Sequence, residues 1–106
     1  MLMKPNELKA LLEQLDIQVF YNHTTRKDVV HMPFIVFVDD GDTSFYADGI
    51  TYAYSTPYSI YLHCIERDFE LEDRIRELLT SNGIPYTLSD VSWDDDLLMW
   101  TTTFDV

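Results

Sequence analysis

Glycine is scarce in this chain, with three residues in 106: Gly41, Gly49 and Gly83. Loops that cradle phosphates need several glycines in a short window, so that backbone amides can close on the anion. Here each glycine stands alone, in a turn or past a helix end, so neither a Walker loop nor a dinucleotide fingerprint is present. Cysteine is scarcer still. Cys64 is the single one, which excludes a disulfide framework within the chain and suits a reducing compartment. Lysine and arginine total 7 against 19 aspartates and glutamates, a net charge of −12. Non-specific nucleic-acid binding and adhesion to anionic lipid both run on clustered cations, and this composition disfavours both. No apolar run approaches the ~20 residues of a membrane span, and the longest covers 33–38. Met1-Leu2-Met3-Lys4-Pro5 contains no apolar leader region and no small-residue cleavage site, so no signal peptide is expected.

Hydrophobic residues nevertheless make up 46% of the chain, too many for a disordered acidic segment. A chain of this length suits one domain, which can bury roughly two-thirds of its unfolded surface. Leu8, Leu11, Leu12 and Leu15 recur at i, i+3, i+4 and i+7, which predicts a helix over 5–15, with Pro5 in its first turn. Asn6 is an alternative cap. A short strand is expected over 17–22. The polar stretch 23–31 reads as a long loop. Pro33-Phe34-Ile35-Val36-Phe37-Val38, apolar on both faces, reads as a covered central strand. Aromatic strands over 43–47 and 50–55 flank Asp48-Gly49, a hairpin signal. Residues 58–65 alternate, with Tyr58, Ile60, Leu62 and Cys64 on one face and Ser59, Tyr61, His63 and Ile65 on the other. Asp68 is placed to cap a second helix over 69–82, striped by Leu71, Ile75, Leu78 and Leu79, with Gly83 just past its end. Strands over 84–93 and 97–106 follow, separated by the turn Asp94-Asp95-Asp96. Together these elements predict an α+β two-layer sandwich, a mostly antiparallel sheet with two amphipathic helices on one face.

Chemistry is hard to find. His63 and Cys64 are neighbours on a strand, so their side chains point to opposite faces and cannot form a dyad. Cys64 reads as a small core residue. His23, Asp28 and His31 share one loop without a diagnostic metal spacing. Asp39, Asp40 and Asp42 resemble a fragment of a calcium loop but lack its downstream glutamate. No catalytic, cofactor or metal site is expected. Aromatic content stands out instead: Phe45, Tyr46, Tyr52, Tyr54, Tyr58, Tyr61, Trp93, Trp100 and Phe104 exceed what two short helices can cover. Tyrosine and tryptophan favour surfaces that are dry at one end and wet at the other, so an interface is expected, with Tyr46, Tyr52 and Tyr54 as candidates. Arg26 and Lys27, rare cations on an acidic chain, are the further interface candidates.

Several phrases resemble a known group. They are Met32-Pro33-Phe34-Ile35-Val36-Phe37-Val38, Phe45-Tyr46-Ala47-Asp48, Tyr58-Ser59-Ile60-Tyr61-Leu62 leading to an acidic helix, and Gly83-Ile84-Pro85-Tyr86. With Trp93 and the final strand they are similar to tail terminator (tail completion) proteins of long-tailed phages and Gram-positive prophages. The likeness covers nearly the whole chain in order, and 23–31 matches least. It implies an α+β subunit assembling as a hexameric ring, with no cofactor. The ring would end the tail tube and meet the head connector, in a virion assembled in the bacterial host cytoplasm. DNA would pass through such a ring without specific binding. Asp39, Asp40, Asp42, Asp94, Asp95 and Asp96, with the first carboxylates of the second helix, are the candidate channel lining. Two other readings stand beside it: another neck protein of head closure or head–tail joining, and an acidic DNA mimic that inhibits a DNA-binding enzyme.

Overall fold

The computed structural model describes residues 4–22, 32–39, 43–47, 50–55 and 58–106, and the side chains of these apart from 43–47 and 50–55. Helix α1 (Pro5–Leu12) opens on Pro5, whose missing N–H falls where no helical bond is made. Lys4, not Asn6, is the cap residue, and the Glu7 carboxylate accepts from its backbone N–H at 3.4 Å. A 3-10 turn (Glu13–Leu15) tightens the helix end, so the expected helix over 5–15 is two elements in one stripe.

Five strands make the main sheet: β1 (Gln18–Tyr21), β2 (Phe34–Asp39), β5 (Tyr58–Cys64), β6 (Thr87–Asp94) and β7 (Met99–Asp105). Their spatial order is β1-β2-β5-β7-β6. The β1–β2 pair is parallel and the rest are antiparallel. Strands β3 (Thr43–Ala47) and β4 (Ile50–Ser55) pair only with each other, as a separate two-stranded sheet. Their register shifts after Phe45, so that Phe45 pairs with Ala53 but Tyr46 with Thr51, a β-bulge.

Helix α2 (Phe69–Ser81) starts where the Asp68 carboxylate accepts from the Leu71 N–H at 3.0 Å. It ends in a Schellman motif: the Gly83 N–H reaches the Thr80 carbonyl, and the Ile84 N–H the Leu79 carbonyl. Gly83 sits at φ +68°, and a Cβ added there would meet nothing within 4 Å. The cost of a side chain is therefore backbone strain alone. Gly83→Ala should lower stability by about 1 kcal/mol, and Gly83→Asn by less, since asparagine tolerates the left-handed region. Urea denaturation reads this directly, and an unmoved midpoint for the alanine variant would refute it.

Both helices cover one face of the sheet. Leu8, Leu12, Ile75 and Leu79 pack in one cluster with Ile35, Phe37, Ile60, Leu62 and Phe104. Tyr21 stacks on Phe37 at 5.1 Å, and Tyr58 meets the same ring edge-on at 5.9 Å. The predicted two-layer α+β sandwich is the architecture observed. Two details differ. Leu78 is only half-buried, at the rim of its stripe, whereas Glu72 is buried. Tyr58 and Phe104, counted among the aromatics that outnumber what two short helices can cover, belong to the core, because their positions on β5 and β7 face the helices. Among the described residues, no helix is long and apolar enough to cross a membrane.

Candidate interaction surface

Alternation along β5 decides the fate of its two reactive side chains. Cys64 faces the helices and is buried, and its thiol is pushed up to about 11. Burial is the main cause, and the Asp68 and Glu72 charges add to it. At neutral pH it stays a thiol, the unreactive form. His63 points to the opposite face. Its Nδ1 lies 3.0 Å from Thr101 Oγ1 and its ring 4.8 Å from Phe34. Burial holds its pKa below the usual histidine value.

A depressed histidine pKa means that the unfolded chain takes up a proton more readily than the folded one. His63 therefore costs stability as pH falls below about 6.5, the unfolded value. His63→Gln should flatten the slope of unfolding free energy against pH in the window just below that point. Parallel wild-type and variant profiles across it would show that His63 titrates alike in both states.

The expected site residues are scattered. Arg26, Lys27, Asp40 and Asp42 lie outside the described residues, as do His23, Asp28 and His31. Tyr46 belongs to β3, and Tyr52 and Tyr54 to β4; their side chains lie outside what is described. Asp39 ends β2 opposite Tyr58, at the start of β5. Asp94, Asp95 and Asp96 lie beyond the other end of β5, where Cys64 pairs with Trp100 and Trp100 with Trp93. Six residue steps separate the two ends, about 20 Å. Asp39 thus sits at the opposite end of the sheet from Asp94, Asp95 and Asp96. Two of them also have local structural work. Asp94 accepts from the N–H groups of Asp96 and Leu97 at 2.9 and 3.0 Å, and Asp95 from Trp93 Nε1 at 2.7 Å.

A cluster that the sequence reading missed lies at that second end. Arg67 stands just before the α2 cap and forms a bidentate pair with Glu72, at 3.0 Å to Oε1. Its guanidinium lies 4.4 Å from the Phe69 ring centre and 6.0 Å from that of Trp100. Trp100 in turn lies 5.6 Å from Trp93. Phe69, Arg67, Trp100 and Trp93 thus form one row across the end of the sheet. Glu72, one of the first carboxylates of the second helix, is buried. A signal was present: Glu72, Ile75 and Leu79 recur at i, i+3 and i+7, on the apolar stripe itself.

Beside the row is a hollow of about 270 Å³ lined by Met32, Pro33, Cys64, Ile65, Glu66 and Asp68. That is below the common range of small-molecule clefts, roughly 300–1,000 Å³. Among the described residues, no three His, Cys, Asp or Glu side chains group as they would around a metal ion. The geometry offers surface recognition: a stacked aromatic and cationic row in an acidic setting. No protein-family model matches the chain, and no curated protein matches it.

Proposed function

We propose that this chain is a structural virion protein of a long-tailed phage. It ends the tail tube and joins it to the head connector as a ring of six copies, and it carries out no catalysis. The resemblance to tail terminator proteins supplies the reading. The observation that carries it in the fold is the β3–β4 ribbon. A two-stranded ribbon is marginal in water on its own, and among the described residues this one shares no hydrogen-bond ladder with the main sheet. A neighbouring subunit that covers the ribbon would remove that deficit, and a head-to-tail contact of this kind closes into a ring when the rotation permits. The aromatic sequence of the ribbon, with Phe45, Tyr46, Tyr52 and Tyr54, suits such a contact.

Light scattering and negative-stain microscopy of the purified chain, alone and with tail tube protein, test the reading. Six-copy rings on the tube end are the expected result. A variant replaces the ribbon by a short flexible link. It should stay folded by circular dichroism and lose the ring. A chain that remains a monomer with and without tail tube overturns the proposal. A monomer that instead captures a basic DNA-binding enzyme would establish the DNA-mimic reading.

A further inference from the structure

Exposed apolar side chains gather at one end of the sheet. Among the described residues, the large hydrophobic side chains left exposed are Ile65, Phe69, Trp93, Leu97 and Leu98. Four of them are 61–63% exposed, and Trp93 is 42% exposed. They come from two stretches of the chain, 65–69 and 93–98, that meet at one end of the sheet. Ile65 follows the last residue of β5, whose register partner is Trp100. Phe69 reaches Trp100 through the Arg67 guanidinium, and Trp93 packs against Trp100. Leu97 and Leu98 lie in the β6–β7 turn, closed by the Asp94–Met99 pair next to Trp93 and Trp100. Scattered exposed leucines are ordinary, but a contiguous patch with an aromatic centre marks a contact surface.

Leu98 sharpens the point. Its φ is +53°, a left-handed position that glycine or asparagine fills at lower cost. The turn thus holds out a leucine where solvent exposure and backbone strain both oppose it. Arg67 is held by Glu72 and stacked on Phe69, so the centre of the patch is ordered before any partner arrives.

We propose that this patch is a docking surface for a different protein, one that presents an apolar side chain ringed by lysine or arginine. The charge around the patch decides the occupant. Glu66, Asp68, Glu70, Asp95 and Asp96 stand exposed on its rim. The cation among them, Arg67, is already committed to Glu72. Two copies meeting patch to patch would bring like rims together, and the chain as a whole has only 7 cations to set against 19 acids. Nucleic acid and anionic lipid are repelled by the same rim. A basic protein surface gains from the rim and from the apolar centre at once. This proposal goes beyond ring assembly and does not depend on it, because the partner is not another copy of the chain.

The chain reports on the patch itself, because its two tryptophans, Trp93 and Trp100, both belong to the row. The probe is a short tryptophan-free amphipathic peptide of leucine and lysine, titrated against the full chain and followed by tryptophan emission. A saturable change is expected. Oligolysine without leucine should bind at least about tenfold more weakly, and the leucine–glutamate analogue should not bind. Ile65→Ser and the double variant Leu97→Ser/Leu98→Ser change exposed side chains and should keep the wild-type melting curve. Each should weaken binding of the leucine–lysine peptide by about tenfold. Oligolysine binding as tightly as the amphipathic peptide would reduce the effect to bulk charge and overturn the proposal. Wild-type affinity in both variants would also overturn it, as would a response to neutral phosphatidylcholine vesicles. Self-association of the wild type that both variants abolish would make the occupant a second copy, and the proposal would fall. Ring formation is scored separately by light scattering, so failure of either reading leaves the other intact.

Discussion

Leu12→Ala should cost about 2–5 kcal/mol of unfolding free energy, and Ile75→Ala a similar amount. Both side chains are fully buried where the helices meet the sheet, so truncation loses transfer energy and leaves a cavity between two layers. The helix-facing residues Ile35, Phe37, Ile60 and Leu62 sit on central strands, whose hydrogen-bonded neighbours limit how far the sheet can collapse into the gap. Leu78→Ala is the internal control. Leu78 lies on the same helix but is half-buried, so its loss should fall well below that at Ile75. Guanidinium denaturation of the three variants measures this. Losses below about 0.5 kcal/mol at both Leu12 and Ile75 would mean that α1 and α2 do not form a packed layer.

Arg67→Ala is the other large effect, expected at about 2–3 kcal/mol. The substitution leaves the Glu72 carboxylate, 3% exposed, without the guanidinium that neutralises it. Removing one partner of a buried pair costs more than removing both, because the remaining charge is desolvated and unpaired. The figure is set below the full range because the Arg67 side chain is 30% exposed, so water can reach the site. The double variant Arg67→Ala/Glu72→Leu should regain most of the loss, since leucine fills the space beside Ile75 and Leu79 without a charge. Equal destabilisation in the single and double variants would show that stacking of Arg67 on Phe69, not the ion pair, supplies the stability.

The row of Phe69, Arg67, Trp100 and Trp93 also explains why the acidic end of the molecule is ordered. Asp95 takes the Trp93 N–H, and Asp94 closes the turn. Acidity there is part of the structure as well as of the solvation shell. The same carboxylates define the rim that selects for a basic partner.

Local pattern by itself determined most of the elements, because each depends on spacing along the chain. The leucine stripe of α1, the alternation of β5, the Asp68 cap and the Gly83 stop all act within one or two turns or strand steps. They hold whatever the rest of the molecule does. The opposed faces of His63 and Cys64 follow in the same way from the strand period alone. Tertiary structure decided what depends on which elements become neighbours. Pairing of β5 with β7 set Phe104 beside Ile60 in the core, although its residue type suits a surface equally well. Packing of α2 against the sheet buried Glu72, and only proximity to Arg67 across the helix start makes that burial tolerable. Segregation of acids followed the same logic. Asp39 and Asp94 are both strand-end aspartates in the sequence, but antiparallel pairing through β5 and β7 sets them at opposite ends of the sheet, about 20 Å apart along the strand direction. Convergence of Ile65, Phe69, Trp93, Leu97 and Leu98 is likewise a product of strand order. It joins two chain segments that no periodicity links.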